Sequence, residues 1–192
     1  MPPAEPDAPV NTPDRVDADR AGAPIAAAQA ILRQCAAVAG RIEPDAYSRP
    51  SRALRGGTIG QHLRHSLDHF AAILAGRESG RTIDYDHRDR HVPMETDPAQ
   101  AALAIDSVLG GLGSIGTDEL DAPVRVRVML SGDGAEAELG STLGREIFFA
   151  AHHAIHHNAM IGAIAGEFGV EVDEQFGKAP STIQYEQSGD GA

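Results

Sequence analysis

The chain has 192 residues, enough for one domain of ordinary size, and its 42% hydrophobic and 23% charged residues are typical of a soluble globular protein. The formal net charge is −12 and no basic run occurs, which argues against nucleic acid or an anionic membrane as the main partner. A single cysteine excludes an intramolecular disulfide and a cysteine-based zinc site. No apolar stretch is long enough to span a membrane and no signal sequence is evident, so we expect a cytoplasmic protein.

The N-terminal segment is rich in Pro, Ala and Asp and has almost no large apolar side chains, which predicts disorder. The predicted organisation is a disordered tail over 1–22, a helical domain over 23–180 and a C-terminal tail over 181–192. The first helix is predicted from Pro24 to about Gly40 by apolar residues at helical spacing. Cys35 lies on its inward stripe, and we interpret it as a small core residue.

A second helix is predicted over "TIGQHLRHSLDHFAAILAG", with Thr58 as its N-cap and Gly76 at its end. Its histidines, His62, His65 and His69, are spaced by three and four residues and therefore share one helical face. One histidine on such a face is usually a hydrogen-bonded core residue. Three, matched by a second histidine-rich helix, favour a functional site.

The next stretch, "RESGRTIDYDHRDRHVPMETDP", is predicted to be a long surface connection. His87 and His91 have the spacing of a ligand pair, but no apolar periodicity supports a helix there. A solvated charge cluster is the simpler interpretation, with a lid as the alternative. A third helix follows Asp97 and Pro98 and ends in "GGLGSIG".

A β-hairpin is predicted by "APVRVRVML", the turn "SGDG" and "AEAEL". Ser141 or Thr142 can then cap a long fourth helix that runs to about Glu167. Four helices with a short hairpin predict an all-α protein, an antiparallel four-helix bundle with a small β-hairpin insertion before the last helix.

The fourth helix contains "HHAIHH", which holds two pairs at i, i+4 spacing. Helical steps from Glu146 through Phe149 give an apolar face that includes His153 and His157, so this pair is predicted to point inward. His152 and His156 are predicted to lie to one side, where hydrogen bonding or helix packing is a sufficient role. The zinc-protease and di-iron patterns both fail on spacing.

A histidine-only metal site remains, with two ligands from the fourth helix and one from the second. Spacing alone leaves His62, His65 and His69 open as the third ligand. Three nitrogen ligands would leave a coordination position for water or substrate, whereas a fourth ligand, for example His69 or Glu146, would favour a structural ion. A bundle with hydrogen-bonded core histidines and no metal is the remaining alternative.

The motif "IGQHLRHSLDHF", followed by a His-x-x-x-His pair on the last helix, resembles the DinB/YfiT-like superfamily. The resemblance implies that His65 is the helix-two ligand beside His153 and His157. It also implies a divalent ion (zinc, nickel, iron or manganese) and a homodimer. Its characterised members include S-transferases that use low-molecular-weight thiols, isomerases and metal-dependent hydrolases.

The function expected from these observations is metal-dependent catalysis on a small-molecule substrate, either thiol transfer or hydrolysis. The alternative is a non-enzymatic metal-binding stress or sensor protein with a structural ion. Candidate residues around the ligands are His62, His69, Glu146 and His156. Because imidazoles titrate near pH 6.5, the sequence predicts that metal affinity falls as the pH drops through about 6.

Overall fold

The computed structural model describes residues 22–80 and 82–189. Within them lie six α-helices and three strands: α1 (Ala23–Ala39), α2 (Pro44–Ser48), α3 (Ile59–Glu78), β1 (Thr82–Asp84), α4 (Pro98–Gly113), β2 (Pro123–Met129), β3 (Glu136–Thr142), α5 (Leu143–Glu167) and α6 (Pro180–Gln187). Short 3-10 turns cover Pro93–Glu95 and Thr117–Glu119. The predicted disordered tail, apart from Gly22, falls outside the described residues.

The four long helices, α1, α3, α4 and α5, pack around one apolar core. Helix α3 lies against α4 and α5, and α1 lies against the same two helices. The start of α3 is set by a capping box, in which the Thr58 hydroxyl accepts from the Gln61 amide while the Gln61 side chain accepts from the Thr58 amide. The α3–α5 contact brings the two histidine-rich helices together.

The strands form one mixed sheet in the order β1-β2-β3, in which β1 is parallel to β2 and β2 is antiparallel to β3. Ile83 of β1 is fully buried, and Val124 and Val126 of β2 are also in the core. The predicted all-α four-helix bundle with a hairpin insertion is therefore wrong, because the sheet has a third strand and forms part of the core. A three-residue strand carries too short a pattern to be recognised, and its partner lies 43 residues away.

Gly76 has a different role from the predicted one. Helix α3 continues past it to Glu78. A Cβ at this position would lie 2.8 Å from Ile83 Cγ1 and 2.8 Å from the Thr82 carbonyl oxygen. The missing side chain thus allows β1 to lie directly against α3.

Two short helices occupy segments for which the sequence predicted no helix. Helix α2 covers Pro44–Ser48, after the predicted end of the first helix, and α6 covers Pro180–Gln187, all but its first residue in the predicted C-terminal tail. Over the ranges 22–80 and 82–189, no helix combines the length and apolarity that a membrane crossing requires.

Candidate metal centre

Three histidines from α3 and α5 converge at the interface of the two helices. His153 Nε2 lies 3.1 Å from His65 Nε2 and 3.1 Å from His157 Nε2. All three ligand atoms lie within 4.8 Å of one another. His157 is buried, while His65 and His153 are partly exposed. The structure thus brings together the three residues predicted as metal ligands.

The spacing of these nitrogens fits a shared cation better than hydrogen bonding. A neutral imidazole nitrogen offers either one N–H or one lone pair, so His153 Nε2 can satisfy only one of its two close contacts well. Nitrogen ligands about 2.0–2.1 Å from a tetrahedral zinc ion are about 3.3 Å apart, close to the spacing seen here. The donor set therefore fits a divalent ion.

The environment keeps these imidazoles neutral, which is the form that binds metal. Burial lowers the pKa of His65 to about 3 and that of His157 to about 3, and neighbouring histidines add to both shifts. Burial likewise lowers the pKa of His153 to about 4. The Arg88 guanidinium contributes further to the lowered pKa values of His65 and His153.

His62 supports the cluster from outside. Its Nδ1 lies 3.0 Å from His157 Nδ1, on the side of the ring away from the convergent Nε2 atoms. Burial lowers the pKa of His62, so it too is neutral. His62 Nε2 and His65 Nδ1 are buried without a hydrogen-bond partner among the described residues.

His69 is not part of the converging set. Its Nδ1–H donates to the His65 carbonyl oxygen over 3.0 Å, which fixes the ring one helical turn from the ligand. The ring stacks on Tyr85, with ring centroids 4.9 Å apart, and its centroid lies 4.1 Å from that of the His153 ring. His69 therefore forms a wall of the site.

Glu146 is buried, but its carboxylate contacts residues other than the converging histidines. The Tyr85 hydroxyl donates to Oε2 over 2.6 Å, and the Ser141 hydroxyl donates to Oε1 over 2.6 Å. Arg145 Nη1 lies 3.0 Å from Oε1. The carboxylate is connected to the histidines indirectly, for example through Tyr85, which stacks on His69.

The remaining histidines are not part of the converging set. His152 and His156 are exposed, in agreement with the helical-face prediction, and the His156 ring centroid is 5.5 Å from that of His157. His87 is more than half exposed and contacts Asp84 and Glu136, while the described contact of His91 is made by its backbone amide.

Two residues at the site were missed by sequence reasoning because they lie in the polar connection after α3. Tyr85 is buried against His69, and Arg88 donates to the Tyr85 carbonyl oxygen over 2.9 Å. The one signal was the alternation of Ile83 and Tyr85 within an otherwise polar stretch, which is typical of a short half-buried strand.

Beside the cluster, Cys35 is buried and its thiol donates to Asn158 Oδ1 over 3.1 Å. Burial raises the pKa of the Cys35 thiol to about 12. A thiol with this pKa is a poor nucleophile at neutral pH, in accord with a core role.

No model of a protein family matches the chain. FK506-binding protein 5 of Rhizopus delemar is 33% identical to it over 118 residues. The match covers 61% of this chain, and the chain spans 31% of the length of that curated relative. The resemblance to the DinB/YfiT-like superfamily is thereby contradicted as a family assignment, since the similar protein bears an FK506-binding name. The candidate metal centre therefore rests on the geometry of its histidines.

Proposed function

We propose that this protein binds one divalent metal ion through His65, His153 and His157 and acts as a metal-dependent enzyme on a small molecule. The observation that carries the proposal is the convergence of three neutral imidazole nitrogens from two helices. Within the described part of the chain, this group includes no fourth His, Cys, Asp or Glu ligand atom. A coordination position is thus left for water, a thiol or a substrate.

A divalent ion held by these histidines would supply Lewis acidity, which favours the deprotonated form of water or a thiol. Arg88 donates to the Tyr85 carbonyl oxygen, lies 3.4 Å from the Asp68 carboxylate, and contributes to the lowered pKa values of His65 and His153. Hydrolysis by a bound water and transfer of a bound low-molecular-weight thiol would both use the deprotonated form.

The first test is bound metal per chain, measured by elemental analysis of protein purified without a histidine tag. His65→Ala, His153→Ala and His157→Ala should each lose stoichiometric metal. His152→Ala is the matched control, because this exposed histidine precedes a ligand on the same helix and should keep the metal. Full metal in His153→Ala would contradict the site.

A non-enzymatic metal-binding protein is the second candidate, favoured by the position of the site, where one ion would join α3 to α5. The two candidates differ in turnover. An enzyme should convert thiol and electrophile pairs or activated esters at a rate that the His153→Ala variant loses. A structural ion should raise the melting temperature without any such activity.

The similarity to a protein named for FK506 binding gives a further candidate, binding of FK506 itself. Titration of FK506 into the unmodified chain and into His153→Ala separates this function from the metal centre. Equal binding to both would place FK506 binding outside the histidine cluster, and an absence of binding would exclude this candidate.

A further inference from the structure

We propose that the cavity between the β2–β3 ribbon and the N-terminal half of α5 binds the apolar body of a small carboxylic acid, whose carboxylate is recognised by Arg145. The inference goes beyond the proposed function, because none of the three proposed metal ligands lines this cavity. The cavity has a volume of about 370 Å³. This size lies within the range of pockets that hold small organic ligands.

The walls of the cavity are mostly apolar. Val126 and Val128 of β2, Leu139 of β3 and Phe149 of α5 line it. Leu139 is 54% exposed, so a large apolar side chain is left in contact with solvent at this cavity. An apolar ligand body would cover it and gain about 25 cal/mol for each Å² of apolar surface removed from water.

Two residues connect the cavity to the histidine cluster. Tyr85 lines the cavity and stacks on His69. Phe149 lines the cavity and packs in parallel orientation against His153, with ring centroids 6.0 Å apart. Phe149 precedes His153 by four residues on α5, so cavity and metal ligand occupy the same helix face about one turn apart. A ligand in the cavity would therefore lie against the Tyr85 and Phe149 rings, which separate it from His69 and His153.

Two charged residues line the cavity, and they determine which ligand charge it favours. Glu146 is 2% exposed and already accepts hydrogen bonds from Tyr85, Ser141 and Arg145, so its oxygens are engaged. The Arg145 side chain is 63% exposed and its guanidinium lies 5.2 Å from the centroid of the Phe149 ring. A guanidinium carries five N–H donors, and Glu146 is the one hydrogen-bond partner that the described residues give it.

Arg145 is therefore a planar donor group that lines an apolar cavity, with one nitrogen paired to Glu146 and the rest of its guanidinium available to a ligand. Carboxylates match this geometry, since guanidinium and carboxylate groups pair through charge-assisted hydrogen bonds. The chain as a whole carries a charge of −12, so it does not attract anions in general. Preference for an anionic ligand would have to arise locally from Arg145.

The test uses the full chain loaded with zinc and three matched probes: 4-phenylbutyrate, 4-phenylbutan-1-ol and 4-phenylbutylamine. Isothermal titration should show the acid binding about tenfold more tightly than the alcohol, and the amine more weakly than either. Arg145→Gln should reduce acid binding to the level of the alcohol. Arg125→Gln is the control, because this exposed arginine pairs with Glu138 and does not line the cavity. Acid and alcohol of equal affinity on the unmodified chain would overturn the proposal.

Val128→Phe, which fills the cavity, should weaken binding of acid and alcohol alike. Unchanged acid binding in this variant would also overturn the proposal. The same titration on His153→Ala separates the inference from the proposed function. Loss of metal in His153→Ala is expected and counts against neither proposal, and preference for the acid retained in this variant would support the cavity. If the unmodified chain binds no metal but still prefers the acid, the cavity is supported and the metal function is contradicted. Stoichiometric metal without a preference for the acid would count against the cavity alone.

Discussion

The Nδ1 atoms of His62 and His157 lie 3.0 Å apart, so the imidazole of His157, a proposed metal ligand, contacts a second imidazole through the nitrogen that does not face the cluster. If His157 binds a metal ion through Nε2, its Nδ1 carries the proton and donates to His62. His62 then accepts at Nδ1 and carries its own proton on the buried Nε2. This contact fixes both the tautomer and the orientation of the His157 ring.

Removal of this contact should weaken metal binding without abolishing it. We expect His62→Ala to lower metal affinity about tenfold to a hundredfold, the usual effect of losing an outer partner of a ligand. His62→Gln should recover part of the loss, because its amide oxygen can accept from His157. Competition with a chelator measures the affinity, and exposed His156→Ala is the control. An equal loss in both alanine variants would contradict this role for His62.

The stability of the metal-free protein should depend on pH through the three converging histidines. Their pKa values are near 6.5 in the unfolded chain, but burial lowers the pKa to about 3 for His65 and His157 and to about 4 for His153. Below pH 6.5 the unfolded chain therefore binds more protons than the folded chain. The melting temperature should be highest above pH 6.5 and fall as the pH drops towards 4.

The same pKa values change the expected pH dependence of metal binding. The sequence alone predicts a loss of affinity through pH 6, but in the folded chain the ligands stay neutral to about pH 4 to 5. Affinity measured while circular dichroism shows a folded chain should be nearly constant from pH 8 to pH 5. A steep fall at pH 6 without unfolding would show that the ligands have ordinary pKa values.

Tyr85→Phe should destabilise the fold, because it removes a donor from a carboxylate that is 2% exposed. We expect a loss of about 1–3 kcal/mol in the free energy of unfolding, measured in urea. Ser141→Ala should lose less, since Glu146 Oε1 keeps its contact with Arg145. A Tyr85→Phe variant as stable as the unmodified chain would show that the Glu146 carboxylate does not depend on the hydroxyl.

Replacement of two helical glycines by alanine should change the free energy of unfolding in opposite directions. Gly76→Ala places a Cβ 2.8 Å from Ile83 Cγ1 and from the Thr82 carbonyl oxygen, so it should destabilise the contact between α3 and β1. Gly110→Ala on α4 meets nothing within 4 Å and should stabilise by about 0.5–1 kcal/mol. Urea denaturation measures both. Stabilisation by Gly76→Ala would mean that β1 does not lie against α3.

Cys35 should resist thiol reagents in the folded chain, because burial raises its pKa to about 12. Ellman's reagent should label the native protein far more slowly than the protein in guanidinium. The chain has one cysteine, so the signal is unambiguous. Rapid labelling of the native chain would reveal an opening of the α1–α5 contact, where the thiol meets Asn158.

The long helices could be predicted because apolar periodicity and caps such as Thr58 are local signals. Helical geometry also separated His153 and His157, which the structure turns towards α3, from the exposed His152 and His156. The choice of His65 on α3 required more than spacing, because the register between two helices depends on tertiary packing.

The missed strand has a physical explanation. Strand β1 takes its hydrogen bonds from a parallel partner far along the chain, and a three-residue segment cannot show this in its own pattern. Glu146 was named as a candidate residue around the ligands because it lies on the same helix face as His153. It is seven residues from His153, and its hydrogen-bond partners are Ser141, Arg145 and Tyr85.

His65 and His153, which lie in contact, are 88 positions apart in the chain, and β1, α4, β2 and β3 all fall between them. An ion held by both would act as a removable cross-link that closes this long loop. By the loop-closure relation for a covalent cross-link, closing this loop would cost the unfolded chain about 4.6 kcal/mol of conformational entropy. The centre can form only after α5, the last long helix, has packed against α3. Binding of the ion would therefore indicate that these helices have reached their final positions.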